Sequence, residues 1–274
     1  MNKIVKLLFL SLMILSNSLF SQNDSETTEV QTLLVDINGD GVVKILGFGD
    51  SITFGVGDAY GPGEYIDYAP IPSNSTGYLS RVKSFTGLTT INKGIPGETI
   101  ANGGRGRYSS TIRGTDADII LLQEGSNDSI FQRDSRTIKL TYQRMINIAE
   151  SFGKTIIIGT VTPTCCDRIQ RDGIIQDYNN EIRDVARKYN IPLADFDLAF
   201  ETTCSGGISN CDLLNLPEGL HPNSKGYDVM GQVALATLYN IDIFSPTGAT
   251  DLEIAAGLAP GTIIVKPVST SGVN

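Results

Sequence analysis

Short apolar runs alternate with amphipathic stretches through the body of the chain, residues 33–244. Five near-continuous apolar runs, typical of strands covered on both faces, lie at 42–47, 88–92, 118–123, 155–161 and 191–195. Between them, apolar residues recur at three- and four-residue steps over 135–152, 174–189 and 224–239, which predicts helices. The alternation predicts an α/β fold built on one parallel sheet with right-handed crossovers.

The two ends of the chain have a different pattern. Lys3 and Lys6 precede an apolar stretch at 7–15, small residues and then a polar segment, which is typical of a secretory signal peptide. We expect residues 1–21 to be this signal, cleaved near Ser21, and the protein to be secreted or periplasmic. Residues 22–32 are a linker, and residues 245–274, rich in Gly, Thr, Pro and Ser, are a C-terminal tail or an edge strand.

Composition narrows the possible partners. The 274 residues are 41% hydrophobic and 19% charged, with a formal net charge of −9, so the chain is neither disordered nor equipped to neutralise nucleic-acid phosphates. No further apolar run is long enough for a transmembrane helix, so we expect no integral membrane segment in the mature chain.

Four cysteines in an exported chain favour two disulfides, for which three pairings are open. They are Cys165, Cys166, Cys204 and Cys211. A bond between the two adjacent cysteines requires strain. Their spacing does not match a zinc site, and the single histidine leaves few nitrogen ligands, so we expect no metal. We expect no organic cofactor either.

Small and polar residues follow the first three predicted strands. Gly49-Asp50-Ser51 follows the first, Gly97 follows the second, and Gly125-x-Asn127-Asp128 follows the third. Parallel strands bring their carboxyl ends to one edge, where α/β proteins bind ligands. Ser51 there is either a helix N-cap or a nucleophile. His221, the only histidine and hence the only imidazole base, lies just before the last predicted helix.

These blocks, with the late Glu218-x-x-His221-Pro222-Asn223, resemble the ordered blocks of the SGNH/GDSL hydrolase family over residues 42–239. The resemblance implies a flavodoxin-like three-layer α/β/α sandwich with a five-stranded parallel sheet. It also implies that Ser51 is a nucleophile with His221 as its base. The Ser51 N–H, the Gly97 N–H and the Asn127 side chain then form an oxyanion hole.

One departure from that family concerns the residue that orients His221. The family pattern has Asp three residues before the histidine, and this chain has Glu218. Glutamate is one methylene longer and still suits this role, and a backbone carbonyl or Asp212 are the alternatives. The same departure is the one sequence feature that favours a different reading, a catalytically inactive SGNH scaffold that binds carbohydrate or cell wall.

Two glycine-rich stretches are expected to border the crevice. The loop at 55–77 carries Tyr60 and Tyr65, which suit stacking on sugar rings or lining an acyl groove. Arg105 and Arg107 suit an anionic substrate, or they are simply solvated. We therefore expect an esterase for carbohydrate O-acetyl groups, or a lysophospholipase or short-chain esterase. A calcium-loop-like run begins at Asp36, but its twelfth position is not Glu, which indicates a turn.

Overall fold

A parallel sheet organises the molecule. The computed structural model describes residues 32–58 and 76–268, and within these ranges five strands pair in the order β2-β1-β3-β4-β5. All four strand pairings are parallel. The strands are β1 Lys44–Gly49, β2 Thr89–Gly94, β3 Ile119–Gln123, β4 Thr155–Gly159 and β5 Leu193–Ala194. The predicted α/β fold with a five-stranded parallel sheet is confirmed.

Helices follow the strands in the predicted alternation. In chain order they are α1 Ser51–Phe54, α2 Gly77–Thr86, α3 Arg105–Arg113, α4 Ser135–Ser151, α5 Asp172–Tyr189, α6 Phe196–Thr203, α7 Ser224–Leu238 and α8 Gly248–Ala256. No helix of the described ranges is both long and apolar enough to cross a membrane.

Two hydrophobic cores lie on opposite faces of the sheet, because successive strand side chains point to opposite faces. On one face, Ile45 of β1 packs with residues of α2, α6 and α7. On the other, Leu46 and Phe48 pack with residues of α3, α4 and α5. This arrangement gives the three-layer α/β/α sandwich.

The last two strands are shorter than the apolar runs predict. Side-chain contacts explain both ends. The Asn179 amide bonds the backbone N–H and C=O of Val161, so these groups are not available to a neighbouring strand. The Asp195 carboxylate accepts from the Leu198 N–H and caps α6, so the chain turns away directly after β5.

The segment after residue 244 contains a helix that the sequence pattern does not indicate, namely α8. Ile263 and Val265 are buried beyond it, but the strands of the described ranges do not include them. Instead, the Gln232 side-chain oxygen of α7 accepts from the N–H groups of Ile264 and Val265. The segment therefore packs on a helix, and in the structure it does not extend the sheet edge.

The calcium-like run forms a closed turn before β1. The Asp36 carboxylate accepts from the backbone N–H groups of Gly39 and Gly41, at 2.8 and 2.7 Å. These bonds occupy both of its oxygens. The side chain thus stabilises the turn that leads into the sheet.

Candidate active site

Ser51 lies at a tight strand-to-helix turn. β1 ends at Gly49 and α1 begins at Ser51, and between them the Asp50 carboxylate caps the helix by accepting from the Ile52 N–H at 2.9 Å. A Cβ at Gly49 would lie 1.9 Å from the Gln123 carbonyl oxygen and 2.2 Å from Thr53 Oγ1, so only glycine fits there. The turn places Ser51 at the carboxyl edge of the sheet.

Three side chains from two distant segments form a hydrogen-bonded chain. The Ser51 Oγ lies 2.9 Å from His221 Nε2, and His221 Nδ1 lies 3.0 Å from Glu218 Oε1. An ionised carboxylate only accepts hydrogen bonds, so Nδ1 carries the proton and Nε2 is free to accept from the serine hydroxyl. This is the tautomer that a serine nucleophile requires.

The Glu218 carboxylate is itself held by its own loop. Its second oxygen accepts from the backbone N–H groups of His221 and Leu220, at 3.0 and 3.2 Å. Burial acts to raise the pKa of Glu218, but the hydrogen bonds and charge of His221 outweigh it and hold the pKa below its usual value. Glu218 is therefore anionic at neutral pH.

A neighbouring segment holds the loop that carries Glu218, residues 217–221, in place. The Cys165 N–H donates to the Gly219 carbonyl at 2.8 Å, and the Asp167 N–H donates to the Pro217 carbonyl at 3.2 Å. A Cβ at Gly219 would lie 2.2 Å from the Cys165 carbonyl oxygen, so the two backbones approach each other closely. The loop position is thus determined from outside as well as by its own bonds.

The three predicted oxyanion donors follow three neighbouring strands. Ser51 opens α1, where helix N–H groups have no intrahelical acceptor. Gly97 follows β2 with a φ of 79°, a left-handed conformation that favours glycine. The Asn127 side-chain nitrogen donates to the Glu98 carbonyl at 2.8 Å, which uses one of its two N–H groups and leaves the other.

The segments that carry these site residues occur together in a known protein family. The model of the GDSL-like Lipase/Acylhydrolase family matches residues 48–229. The chain belongs to this family. The matched region includes Ser51, Glu218 and His221, so all three hydrogen-bonded side chains lie inside it.

Several known proteins are similar to this chain in sequence or in fold. Over 226 residues the chain is 28% identical to a multidomain esterase from Ruminococcus flavefaciens; this covers 70% of the chain and only 28% of that protein. A lipase/acylhydrolase from Enterococcus faecalis has a TM-score of 0.59 at 24% identity, covering 73% of this chain and 96% of that one. An acetylxylan esterase from Geobacillus stearothermophilus has a TM-score of 0.57 at 20% identity, covering 72% and 94%. The two structural likenesses show the fold.

Two buried carboxyl groups lie next to site residues in the chain, Asp50 beside Ser51 and Asp128 beside Asn127. Burial raises the pKa of Asp50, against hydrogen bonds from Ser126 and Ile52 that lower it. Burial also raises the pKa of Asp128 to about 6, although the N–H groups of Ile100 and Ala101 donate to it. The sequence pattern does not indicate this cluster beyond placing acidic residues next to the strand ends.

Glu124 belongs to the same cluster and differs from its other members. Neither of its carboxylate oxygens has a hydrogen-bond partner in the described part of the chain. Burial, followed by the charges of Asp50 and Glu98, raises its pKa well above the ordinary value. Burial without hydrogen-bond partners therefore favours the protonated form of Glu124 over the carboxylate.

The remaining candidates lie elsewhere or have other partners. Tyr60 and Tyr65 fall outside the described residues. Arg105 is an exposed residue at the start of α3. Arg107 is paired internally with Glu98, which argues against its reading as a solvated or substrate-binding arginine. The Asp212 carboxylate accepts from Lys225 Nζ at 2.6 Å and from the Ser205 N–H at 2.9 Å. Glu218, and not Asp212, bonds the histidine ring.

The four cysteines form two pairs in the structure. Cys204 pairs with Cys211, and Cys165 pairs with the adjacent Cys166, whose φ of 55° is left-handed. This is one of the three pairings that the sequence leaves open. The pair of Cys165 and Cys166 lies beside the loop that carries Glu218, because the Cys165 N–H donates to the Gly219 carbonyl. The Cys166 Sγ contacts the carbonyl of Ser209, which lies between the other two cysteines in the chain.

Proposed function

We propose that the protein is a serine esterase in which Ser51 is the nucleophile, His221 the general base and Glu218 the residue that orients and charge-stabilises the imidazole. The observation that carries this proposal is the chain of contacts from Ser51 Oγ to His221 Nε2 at 2.9 Å and from Nδ1 to Glu218 at 3.0 Å. Membership of a family of lipases and acylhydrolases supports it.

In the proposed reaction, His221 Nε2 takes the Ser51 proton as Oγ attacks the ester carbonyl carbon. The N–H groups of Ser51 and Gly97 and the Asn127 amide stabilise the resulting oxyanion. His221 then protonates the departing alcohol, which leaves an acyl-Ser51. A water molecule, deprotonated by His221, attacks this acyl group, releases the carboxylic acid and restores the serine.

For the substrate we propose O-acetyl groups on carbohydrate, with short-chain esters or lysophospholipids as the alternative acyl donors. The relative named a multidomain esterase supports ester hydrolysis in general. Comparing acetate release from acetylated xylan or pectin with fatty-acid release from a lysophospholipid separates the two classes. We also propose export of the chain with its N-terminal signal removed, and disulfides at the two cysteine pairs.

Replacement of the two central residues tests the catalytic assignment. We expect Ser51→Ala and His221→Ala each to abolish hydrolysis of p-nitrophenyl acetate while circular dichroism remains that of the folded protein. Ser151→Ala is the matched control, because its exposed hydroxyl only bonds the Ile148 carbonyl at the end of α4. Wild-type turnover in either active-site variant would refute the assignment.

An inactive scaffold that binds carbohydrate or cell wall is the second candidate. The feature that favoured it was glutamate in place of the family's aspartate, and in the structure this glutamate contacts the histidine ring. The departure therefore supplies no support for inactivity. A fluorophosphonate probe distinguishes the two functions, because an active serine reacts with it covalently and an inactive scaffold does not.

A further inference from the structure

The guanidinium of Arg107 in α3 has several polar partners within the protein. Its Nε donates to both carboxylate oxygens of Glu98, at 2.9 and 2.7 Å, and its Nη2 donates to Glu98 Oε2 as well. The same Nη2 donates to the Gly49 carbonyl oxygen at 3.1 Å. The guanidinium carbon lies 3.8 Å from the centre of the Phe48 ring, a cation–π contact.

Each partner of Arg107 is adjacent to a proposed oxyanion donor. Gly49 lies two residues before Ser51, at the end of β1. Glu98 directly follows Gly97 in the chain, and its carbonyl oxygen accepts from the Asn127 amide at 2.8 Å. One guanidinium thus bridges the segments that carry all three donors.

The local packing leaves Glu98 little freedom to move. A Cβ at Gly103 would lie 2.7 Å from Glu98 Oε1 and 2.9 Å from its Cγ, so the backbone closes over this side chain. Glu98 is also close enough to Glu124 for its charge to raise the pKa of that residue. Arg107 therefore supplies the positive charge that a nearly buried Glu98 requires beside other carboxyl groups.

We infer that Arg107 is a positioning residue of the oxyanion hole, which holds the Gly97 N–H and the Asn127 amide at a fixed distance from Ser51. The inference rests on the proposed function, because it assigns a role toward the oxyanion of that reaction. Arg107 acts through Glu98 and Gly49 and does not touch the substrate.

Loss of positioning is expected to appear in turnover and not in substrate binding. Losing one oxyanion donor outright typically lowers kcat by about 10²- to 10³-fold. Arg107→Met leaves the donors in place but frees the Glu98 loop, so we expect kcat to fall by about 10- to 100-fold with KM within about twofold. Arg107→Lys retains a bond to Glu98 but lacks the planar fork, so we expect an intermediate kcat.

A second arginine provides the matched control. Arg183 of α5 binds Asp195 and Asp197 with the same kind of fork, away from the oxyanion donors. We expect Arg183→Met to lower stability, as Arg107→Met does, but to leave kcat unchanged. Turnover is expressed per active site titrated with a fluorophosphonate, so partial unfolding does not enter kcat.

Glu98→Gln gives an independent test should Arg107→Met fold poorly. We expect it to lower kcat as well, and the double variant Glu98→Gln with Arg107→Lys to be less impaired than the product of the two single effects, because the residues act as one unit. An unchanged kcat per titrated site, fully multiplicative effects, or a raised KM at constant kcat in the Arg107 variants would overturn the inference. Ser51→Ala in the same series distinguishes the levels: activity retained there refutes the proposed function itself.

Discussion

Replacing Glu218 with glutamine reverses the hydrogen-bond pattern around His221. The carboxylate accepts from His221 Nδ1 through one oxygen and from two backbone N–H groups through the other. An amide has only one oxygen, and its NH₂ group faces donors in either orientation. With the oxygen toward the two backbone N–H groups, the NH₂ group faces Nδ1 and favours the tautomer protonated at Nε2. That tautomer cannot accept the Ser51 proton.

The size of the effect follows from these contacts. Loss of a charged hydrogen bond to the imidazolium costs about 1.5–3 kcal/mol, which is about 10- to 150-fold in rate. An enforced wrong tautomer raises the loss to about 10⁴-fold, the value known for the equivalent amide substitution in chymotrypsin-type triads. We therefore expect kcat of Glu218→Gln to fall by about 10² to 10⁴. Glu218→Asp keeps the charge and should lose only about tenfold, because the shorter side chain lengthens the bond to Nδ1.

Steady-state hydrolysis of p-nitrophenyl acetate at pH 7 to 8 measures this loss. The control is Asp212→Asn, which removes a nearby carboxylate that bonds Lys225 and the Ser205 N–H but not the histidine ring. We expect its turnover to match that of the wild type. Turnover of Glu218→Gln within about threefold of wild type would refute the reasoning and require that another group orients His221.

Two further predictions concern stability. Burial raises the pKa of Asp128 to about 6 from 3.8, so the folded state binds a proton more tightly than the unfolded chain and Asp128 contributes stability at pH 4 that is lost as the pH rises to about 6. Each pKa unit of difference between the folded and unfolded states is worth about 1.4 kcal/mol. Urea unfolding should therefore show the free energy of unfolding of Asp128→Asn rising relative to that of the wild type by up to about 3 kcal/mol between pH 4 and 7. A difference between the two proteins that does not depend on pH would contradict this. Peptide mapping without reductant should find Cys204 linked to Cys211, and free thiols at these positions in the folded protein would disprove the pairing. Cys204→Ser with Cys211→Ser should lower the free energy of unfolding by about 2–3 kcal/mol.

The strand and helix pattern was predictable because the core positions follow the periods of buried strands and amphipathic helices. Ile45 and Leu46, on opposite faces of β1, show this alternation directly. Where polar side chains replace backbone partners, the pattern failed. The Asn179 amide ends the β4 segment earlier than the apolar run, and Gln232 holds the segment after α8 away from the sheet.

The site residues were recognisable as blocks, but their contacts depend on the fold. Ser51 and His221 are 170 positions apart, so no local pattern gives the distance between Oγ and Nε2. Arg107 is a sharper case. A Gly-Arg-Gly-Arg stretch suggests a solvated loop. In the structure Arg107 lies on a helix, and its guanidinium donates to Glu98 and Gly49. Glu98 lies in the loop after β2 and Gly49 is the last residue of β1, and their proximity follows only from the strand order.

The central claim is that one serine hydroxyl is activated by the sole imidazole, and a fluorophosphonate probe measures this directly. After treatment, peptide mass spectrometry of the wild type is predicted to show one phosphonylated residue, Ser51, with labelling lost in His221→Ala and strongly slowed in Glu218→Gln. Labelling at another serine, or equal labelling rates in all three proteins, would contradict the account.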